Sequence, residues 1–228
     1  HHLYVTPSLL TGTYRHKQKY FLDFLDILRK GAKSDDDKNI FLHYSKELSS
    51  NQPSDKTTFL VQTNSEAEKI NNKKLKELDT KKTNYIAKIY GDWETAYPND
   101  YKLNFKIGAQ VIFIKNDIDK QFVNGNTGVV VGLEKEKVIV ELFPFRKKIN
   151  VYYQVWEKIK YVYDKEEKKL KRETVGSFSQ IPLKLGWAIT INRSQGLTLN
   201  HISIDLSRRF FARGMLYVAL SRAKRFQD

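Results

Sequence analysis

Hydrophobic residues recur with helical spacing near the start of the chain. The positions that share this helical face are Tyr20, Phe21, Phe24, Leu25 and Leu28. Gly31 follows where a helix often ends in a left-handed residue, so the pattern predicts a helix that stops there. The polar stretches 32–39, with three consecutive aspartates, and 51–56, with Pro53, are predicted to be exposed loops.

A strand, a tight turn and a helix are predicted between residues 59 and 78. Phe59-Leu60-Val61 is a short apolar run, and Ser65 with Glu68 three residues later has the spacing of a capping box. The predicted buried face of this helix consists of Ala67, Ile70, Leu75 and Leu78. The polar pair Thr63-Asn64 then follows the carboxyl end of the strand, where open α/β sheets place their ligand contacts.

The pattern changes to short segments rich in Val and Ile after Gly108. Strands are predicted at Ala109–Lys115, Gly128–Leu133 and Lys137–Phe143, and one long alternating strand at Val151–Tyr163. A charged turn, Asp164–Lys171, follows. This succession of short Val/Ile-rich strands predicts a small antiparallel β-barrel inserted into another domain.

An α/β pattern returns after Pro182. Strands are predicted at Ile189–Ile191 and Ile202–Leu206, and a final helix begins at about Gly214. The predicted class is therefore α/β, with the antiparallel insert between its two segments.

Composition narrows the classes of protein that are possible. The chain has 228 residues with 40% hydrophobic content, enough for a folded core. It contains no cysteine and no apolar run long enough to cross a bilayer, which excludes disulfides and suits the cytoplasm. The formal charge of +14 favours an anionic partner such as nucleic acid, although a Lys-rich soluble protein gives the same excess.

Two segments carry candidate chemistry. In the first, the predicted strand at Ile189 is followed by a polar loop of Asn192, Arg193, Ser194, Gln195 and Gly196. Its hydroxyl, amide, guanidinium and backbone groups can donate to phosphate oxygens, although an ordinary strand-to-helix turn has the same pattern.

The second segment, Tyr217–Arg222, places an arginine at the end of the final helix. A guanidinium offers a planar, permanently charged fork to a phosphate and can stabilise the charge that develops in phosphoryl transfer. A solvent-exposed arginine without a function is the other interpretation.

In combination, these two segments resemble motifs five and six of the RecD/Pif-type superfamily-one helicases. The family pattern is close to A-x-T-I-H-K-S-Q-G-L-T followed by Y-V-A-L-S-R, and Ala188–Thr198 and Tyr217–Arg222 match it in order and spacing. Two positions depart from the pattern, because Asn192 replaces the usual His and Arg193 the usual Lys.

Further segments are similar to other motifs of that family. Tyr14-Arg15 resembles its fourth motif, and Thr63-Asn64 with Asn71 resembles a segment that lies along the single strand. Gly108–Val111 and Val123–Gly128 resemble the entry into its SH3-like insert. The resemblance implies a second RecA-like motor domain at 1–104 and 180–228, with an SH3-like barrel at 105–179.

The resemblance also implies roles for individual residues. Arg222, as an arginine finger, and Arg15 would face ATP, and Gln195 and Gly196 would couple ATP to DNA. The implied DNA-binding residues are Thr63, Asn64, Asn71, Thr190, Asn192, Arg193 and Ser194. Trp156 lies among lysines of the insert and is either a stacking residue for single strands or part of its core.

No Gly-x-x-x-x-Gly-Lys-Ser/Thr segment occurs in the chain, so no P-loop is expected. The expectation is a carboxyl-terminal half whose partner, the first RecA-like domain, binds most of the ATP and Mg²⁺. Single-stranded DNA and its junctions with duplex are the implied substrates, and a bacterial nucleoid is the implied location. No metal site of its own and no membrane contact are expected. The alternatives are a nucleic-acid-binding module without a motor, and a scaffold domain of a relaxase- or exonuclease-associated protein.

Overall fold

The computed structural model describes residues 16–50, 56–93, 96–164, 169–199, 201–206, 212 and 214–226. The helices are α1 (Lys19–Lys30), α2 (Asp35–Ser50), α3 (Asn64–Glu77), α4 (Ile191–Ser194) and α5 (Met215–Leu220). The first strands are β1 (Thr58–Val61), β2 (Thr83–Ile86), β3 (Lys88–Gly91), β4 (Lys102–Phe105), β5 (Gln110–Phe113), β6 (Thr127–Leu133) and β7 (Lys137–Leu142). The remaining strands are β8 (Lys147–Tyr152), β9 (Gln154–Asp164), β10 (Lys169–Gln180), β11 (Leu183–Leu185), β12 (Ala188–Thr190) and β13 (Ile202–Ile204).

A three-stranded parallel sheet has the order β12-β1-β13. Phe59 is opposite Ala188 in one pair and opposite Ser203 in the other, so β1 is the central strand. Its strands are short and apolar because both faces of a parallel sheet are covered. The core on this sheet consists of Leu60, Ile112, Ile189, Ile191, Leu197, Leu199, Met215 and Ala219.

The antiparallel strands form three further sheets. Their orders are β11-β5-β6-β7-β8, β3-β10-β9 and β2-β4. The chain therefore has the predicted mixed α/β character. Among the described residues, however, no closed barrel is seen, because β9 pairs with β10 rather than closing the five-stranded sheet at β8.

Two helix starts differ from the sequence prediction. Residues 32–39 are not a loop throughout, because α2 begins at Asp35. Ser34 Oγ accepts from Asp37 N at 3.1 Å, and the Asp37 carboxylate accepts from Lys33 N at 2.8 Å. The backbone N–H groups of Lys33 and Ser34 lower the pKa of Asp37. Acidic side chains are favoured in a first helical turn, so the aspartate run begins a helix.

Helix α3 begins one residue before the predicted Ser65. Its N-cap is Thr63, and the capping box is completed by Glu66 rather than Glu68.

The prediction of one long strand at Val151–Tyr163 is wrong, because Tyr153 separates β8 from β9.

Other sequence predictions are confirmed within a residue or two. Helix α1 ends at Gly31, whose φ is 84°. Strands β5, β6 and β7 lie where the Val/Ile segments predicted them, and α5 follows a left-handed Gly214. Lys56 lies in a turn. The predicted charged turn at Asp164–Lys171 is shorter than expected, because Asp164 ends β9 and Lys169 begins β10. Residues 51–55 and 165–168 lie outside the described residues.

Candidate functional site

A threonine caps the helix that follows each of two neighbouring parallel strands: Thr63, two residues after β1, and Thr190, the last residue of β12. Val61 near the end of β1 is opposite Thr190 at the end of β12. Thr63 Oγ1 accepts from Glu66 N at 3.2 Å, and Thr190 Oγ1 accepts from Arg193 N at 3.3 Å. Since parallel strands end at the same sheet edge, both polar loops face the same side of the molecule.

The Asn71 side chain connects α3 to the backbone of β12. Its Nδ2 donates to Ala188 O at 2.8 Å, and its Oδ1 accepts from Ala188 N at 2.9 Å. These two bonds extend the sheet's pairing onto a side chain. Asn71 therefore sets the distance between the helix after the first loop and the strand before the second.

A cleft of about 470 Å³ opens beside these loops. Five predicted site residues line it, namely Asn64, Asn71, Thr190, Arg193 and Gln195. The lining also includes Tyr97, Asp100, Lys102, Asn104, Asn124 and Lys184. Among these, Asn124 alone lies in a segment with a recognisable motif, Val123–Gly128.

The second loop exposes some of its side chains and buries others. Asn192, Arg193 and Gln195 are exposed. Ser194 is fully buried, and its hydroxyl donates to Ile191 O at 2.7 Å. Gly196 has a φ of 83°, a conformation that glycine adopts without the cost paid by other residues. In this conformation the Ser194 hydroxyl stabilises the turn instead of facing the cleft.

Arg222 is partly buried outside the cleft lining. Its Nε donates to Val218 O at 3.0 Å, and its Nη2 donates to Ser221 Oγ at 2.8 Å. The backbone of Arg222 is nonetheless close to the second loop, because Leu199 N donates to Arg222 O at 3.0 Å. A bridge between Leu199 and Ala223 extends this pairing. The two motifs found in the sequence are therefore joined directly through the backbone.

Trp156 is not among the cleft residues. Its ring meets Phe178 edge-on at 6.0 Å, and Lys115 Nζ lies 4.7 Å from its centroid. Lys115 also donates to Val155 O, and burial lowers the pKa of this ammonium. A cation thus already lies over the ring for which the sequence left both a stacking role and a core role open. Arg15, the other predicted nucleotide contact, lies outside the described residues.

The described part of the chain has neither a metal-binding cluster nor a membrane-spanning helix. It contains no cluster of three or more His, Asp or Glu side chains able to hold a metal ion. None of its helices is long and apolar enough to cross a bilayer.

Comparison with solved structures shows which proteins have a similar fold. A crystal structure of Pif1 from a Bacteroides species in complex with ADP-AlF4 matches with a TM-score of 0.80 and 31% identity, over 94% of this chain and 49% of that one. Bacteroides Pif1 bound to ssDNA matches with a TM-score of 0.65 and 31% identity, again over 94% of this chain and 49% of that one. The mixed α/β fold is therefore one found in DNA helicases.

Sequence comparison gives the particular relationship. The ATP-dependent DNA helicase Pif1 of Bdellovibrio bacteriovorus is 31% identical over 223 residues, which cover 95% of this chain and 47% of that protein. No family model matches the chain. The chain is a homologue of the Pif1 helicases over most of its length, which confirms the resemblance carried by the two motifs. It spans about half the length of the curated relatives it matches, consistent with a carboxyl-terminal half.

Proposed function

We propose that this chain is the carboxyl-terminal motor half of an ATP-dependent DNA helicase that moves 5′ to 3′ along single-stranded DNA. The observation that carries the proposal is the junction of the two motifs. The loop after β12 lines the cleft with Arg193 and Gln195, and the bond from Leu199 N to Arg222 O joins it to the arginine helix. A change at one end of this unit has a direct path to the other.

The proposed division of the chain has a RecA-like motor domain at 1–104 and 180–228 and an SH3-like insert at 105–179. Support comes from the parallel sheet, because β1 precedes the insert while β12 and β13 follow it. Strands β5 to β9 lie within the proposed insert, β10 extends one residue beyond it to Gln180, and all of them have antiparallel partners. Strands β2 to β4 and β11 flank it and connect the two parts.

The proposed DNA track runs along the cleft. Backbone phosphates are proposed to contact Arg193, with Thr63, Asn64, Thr190 and Asn192 beside it at the ends of the two strands. The positive guanidinium and neutral polar groups are the donors that phosphate oxygens accept from. Asn71 is proposed to act by fixing the loops through Ala188. Ser194 would reach DNA only if its turn opened, and Trp156 only if Lys115 moved aside.

The proposed ATP contacts lie on the other side of the second loop. The Arg222 guanidinium has the chemistry to hold a phosphate, and two of its N–H groups now donate to the neutral acceptors Val218 O and Ser221 Oγ. ATP with Mg²⁺ supplies the transferable phosphoryl group. Arg222 is proposed to stabilise the charge that develops there, as an arginine finger does.

Other residues are proposed to hold or transmit the nucleotide. Arg15 is proposed to contact it, and Gln195 and Gly196 to pass its state to the cleft. A first RecA-like domain is proposed to hold most of the ATP and Mg²⁺. The proposed setting is DNA repair and recombination in the bacterial cytoplasm.

Unwinding by the full-length protein tests the proposal and its direction together. Two duplexes of the same sequence, one with a 5′ single-stranded tail and one with a 3′ tail, are incubated with ATP and Mg²⁺. We expect strand release from the 5′-tailed duplex only. Release from the 3′-tailed duplex alone would contradict the direction, and release from neither would contradict the helicase function. The isolated 228-residue chain is expected to release no phosphate from ATP.

A further inference from the structure

Tyr97 is a cleft residue to which neither the sequence motifs nor the proposed DNA track assigns a role. Its side chain lines the cleft and is 45% exposed. The ring stacks on Phe178 with a centroid distance of 5.1 Å and an interplanar angle of 23°. Phe178 is fully buried, so the Tyr97 ring rests on the core and not on a mobile neighbour. An aromatic ring held at the edge of a cleft has the geometry of a stacking platform.

The segment that carries Tyr97 is fixed by buried amides. Asn99 Nδ2 donates to Ile181 O at 2.9 Å and to Leu183 O at 3.2 Å, and Asn99 is 1% exposed. Gln180 Nε2 donates to Asp100 O and Tyr101 O on the same segment. Pro98 follows Tyr97 directly and restricts its backbone to extended conformations. The ring is therefore positioned before any ligand arrives, which reduces the entropy lost on binding.

The charges around the cleft fit a polyanion. Its lining includes the cations Lys102, Lys184 and Arg193, against the acids Glu68 and Asp100. Lys184 Nζ lies 3.2 Å from Asp100 Oδ1, so these two charges offset each other, and Lys102 and Arg193 remain against Glu68. Cations for the phosphates and an exposed ring for a base are therefore the contacts that the cleft offers to a single strand.

We infer that Tyr97 stacks on a base of single-stranded DNA held in the cleft, while the loops after β1 and β12 hold its backbone. This inference rests on the proposed function, because it needs a single strand in the cleft. It replaces Trp156 as the stacking residue, since the Trp156 ring is covered by Lys115 and lies outside the cleft lining. Stacking is indifferent to base identity, which suits a protein that moves along any sequence.

Two oligonucleotides of equal length and charge separate stacking from backbone binding. One is oligo-dT, and the other has the same phosphate backbone with abasic sugars at every position. Affinities of the full-length protein for both are measured by fluorescence anisotropy. The variants are Tyr97→Ala, Tyr97→Phe, Arg193→Ala and Tyr90→Ala, the last a control on β3 whose tyrosine is 81% exposed and outside the cleft lining.

Tyr97→Ala is expected to weaken binding of oligo-dT by about 5- to 100-fold and to leave binding of the abasic strand unchanged. Tyr97→Phe and Tyr90→Ala should bind both strands as the unmodified protein does. An equal loss on both strands, or no loss on either, would overturn the stacking role.

The Arg193→Ala variant distinguishes failure of the inference from failure of the proposed function. If Arg193→Ala weakens binding of both strands while Tyr97→Ala changes nothing, the cleft binds DNA and only the stacking role is wrong. If neither variant changes binding, the single strand does not occupy this cleft, and the proposed DNA track fails with the inference.

Discussion

The loops after β1 and β12 begin alike and then diverge. Each begins with a threonine whose hydroxyl accepts a backbone N–H three residues later, at 3.2 Å in one loop and 3.3 Å in the other. The first loop leads into α3, which has 14 residues and a complete capping box. The second leads into α4, which has four residues and ends just before Gly196 with its positive φ.

This difference shows where each loop obtains its stability. The first is held by its own helix, because capping and a long run of helical hydrogen bonds are local. A four-residue helix is not stable by itself, so the second loop depends on distant groups. These are Asn71 on Ala188, Gly125 against Leu197, and Arg222 bonded to Leu199. A loop that is stabilised by contacts with neighbouring segments can move when those segments move. The proposed coupling of a DNA site to an ATP site requires such a loop.

The largest effect is expected at Arg222. Its backbone bonds to Leu199 after the second loop, and the first loop has no corresponding contact among those described. Arg222→Ala in the full-length protein should lower the DNA-stimulated kcat for ATP hydrolysis at least about 1,000-fold and leave ATP binding within twofold. The charge lost is one needed as the phosphoryl group transfers, not when ATP binds. Steady-state phosphate release and nucleotide titration measure the two quantities, with the exposed Lys224→Ala as the control. Normal turnover in Arg222→Ala would remove the arginine-finger role.

Asn71 connects α3 to β12 through two hydrogen bonds, so its loss should cost more than the loss of either cap. Asn71→Ala leaves the Ala188 N–H and C=O, in a residue that is 1% exposed, without the partners that the side chain supplied. We expect the free energy of unfolding to fall by about 2–4 kcal/mol in urea denaturation. The neighbouring Asn72→Ala is the matched control, with a change of about 0.5 kcal/mol or less because its side chain is exposed. Equal effects in both variants would show that the hydrogen bonds from Asn71 to Ala188 do not stabilise the fold.

Gly125 tests the contact between the insert and the second loop. A Cβ there would lie 2.9 Å from Leu197 Cδ2, on a residue whose φ is +90°. Gly125→Ala is expected to cost about 2 kcal/mol from left-handed strain and crowding combined. Gly214→Ala is the control for strain alone, because its φ is +78° in the left-handed region and a Cβ there would meet nothing within 4 Å. If the two variants lose the same free energy of unfolding, the Leu197 side chain can move aside without a cost in stability, and its contact with Gly125 does not position the second loop.

The smallest expected effect is at the cap of the first loop. Thr63→Ala removes the acceptor for Glu66 N and should cost about 1 kcal/mol of stability by thermal or urea denaturation. Thr63→Ser keeps the hydroxyl and should restore most of it. A serine variant as unstable as the alanine variant would show that the methyl group, and not the cap, is responsible.

The sequence predicted the parts of this site whose determinants are local. Strand β1, Thr63-Asn64 and the loop from Asn192 to Gly196 follow from periodicity and motif spacing. The cap at Thr63 with Glu66 was misplaced to Ser65 with Glu68, because both pairs have the same spacing and only backbone geometry separates them. The α2 helix was missed because an acidic run looks the same in a loop and in a first helical turn.

Long-range features were out of reach of the sequence. Tyr97 and Lys184 both line the cleft although they are far apart in the chain, and no sequence periodicity predicts that they share it. The hydrogen bonds between Asn71 and Ala188 join residues 117 positions apart, although both residues lie in recognisable motifs. The sequence left open whether Trp156 stacks on a base or packs in the core, because the position of Lys115 over its ring depends on the fold.

The central claim is that this cleft holds the phosphate backbone of a single strand, and the salt dependence of binding tests it most directly. The affinity of the full-length protein for a single-stranded oligonucleotide is measured over a range of salt concentrations, with and without Arg193→Ala. We predict that log K falls linearly with log salt and that the variant has a slope shallower by about 0.7, the loss of one phosphate contact. Identical slopes in the two proteins, or an affinity independent of salt, would contradict the claim.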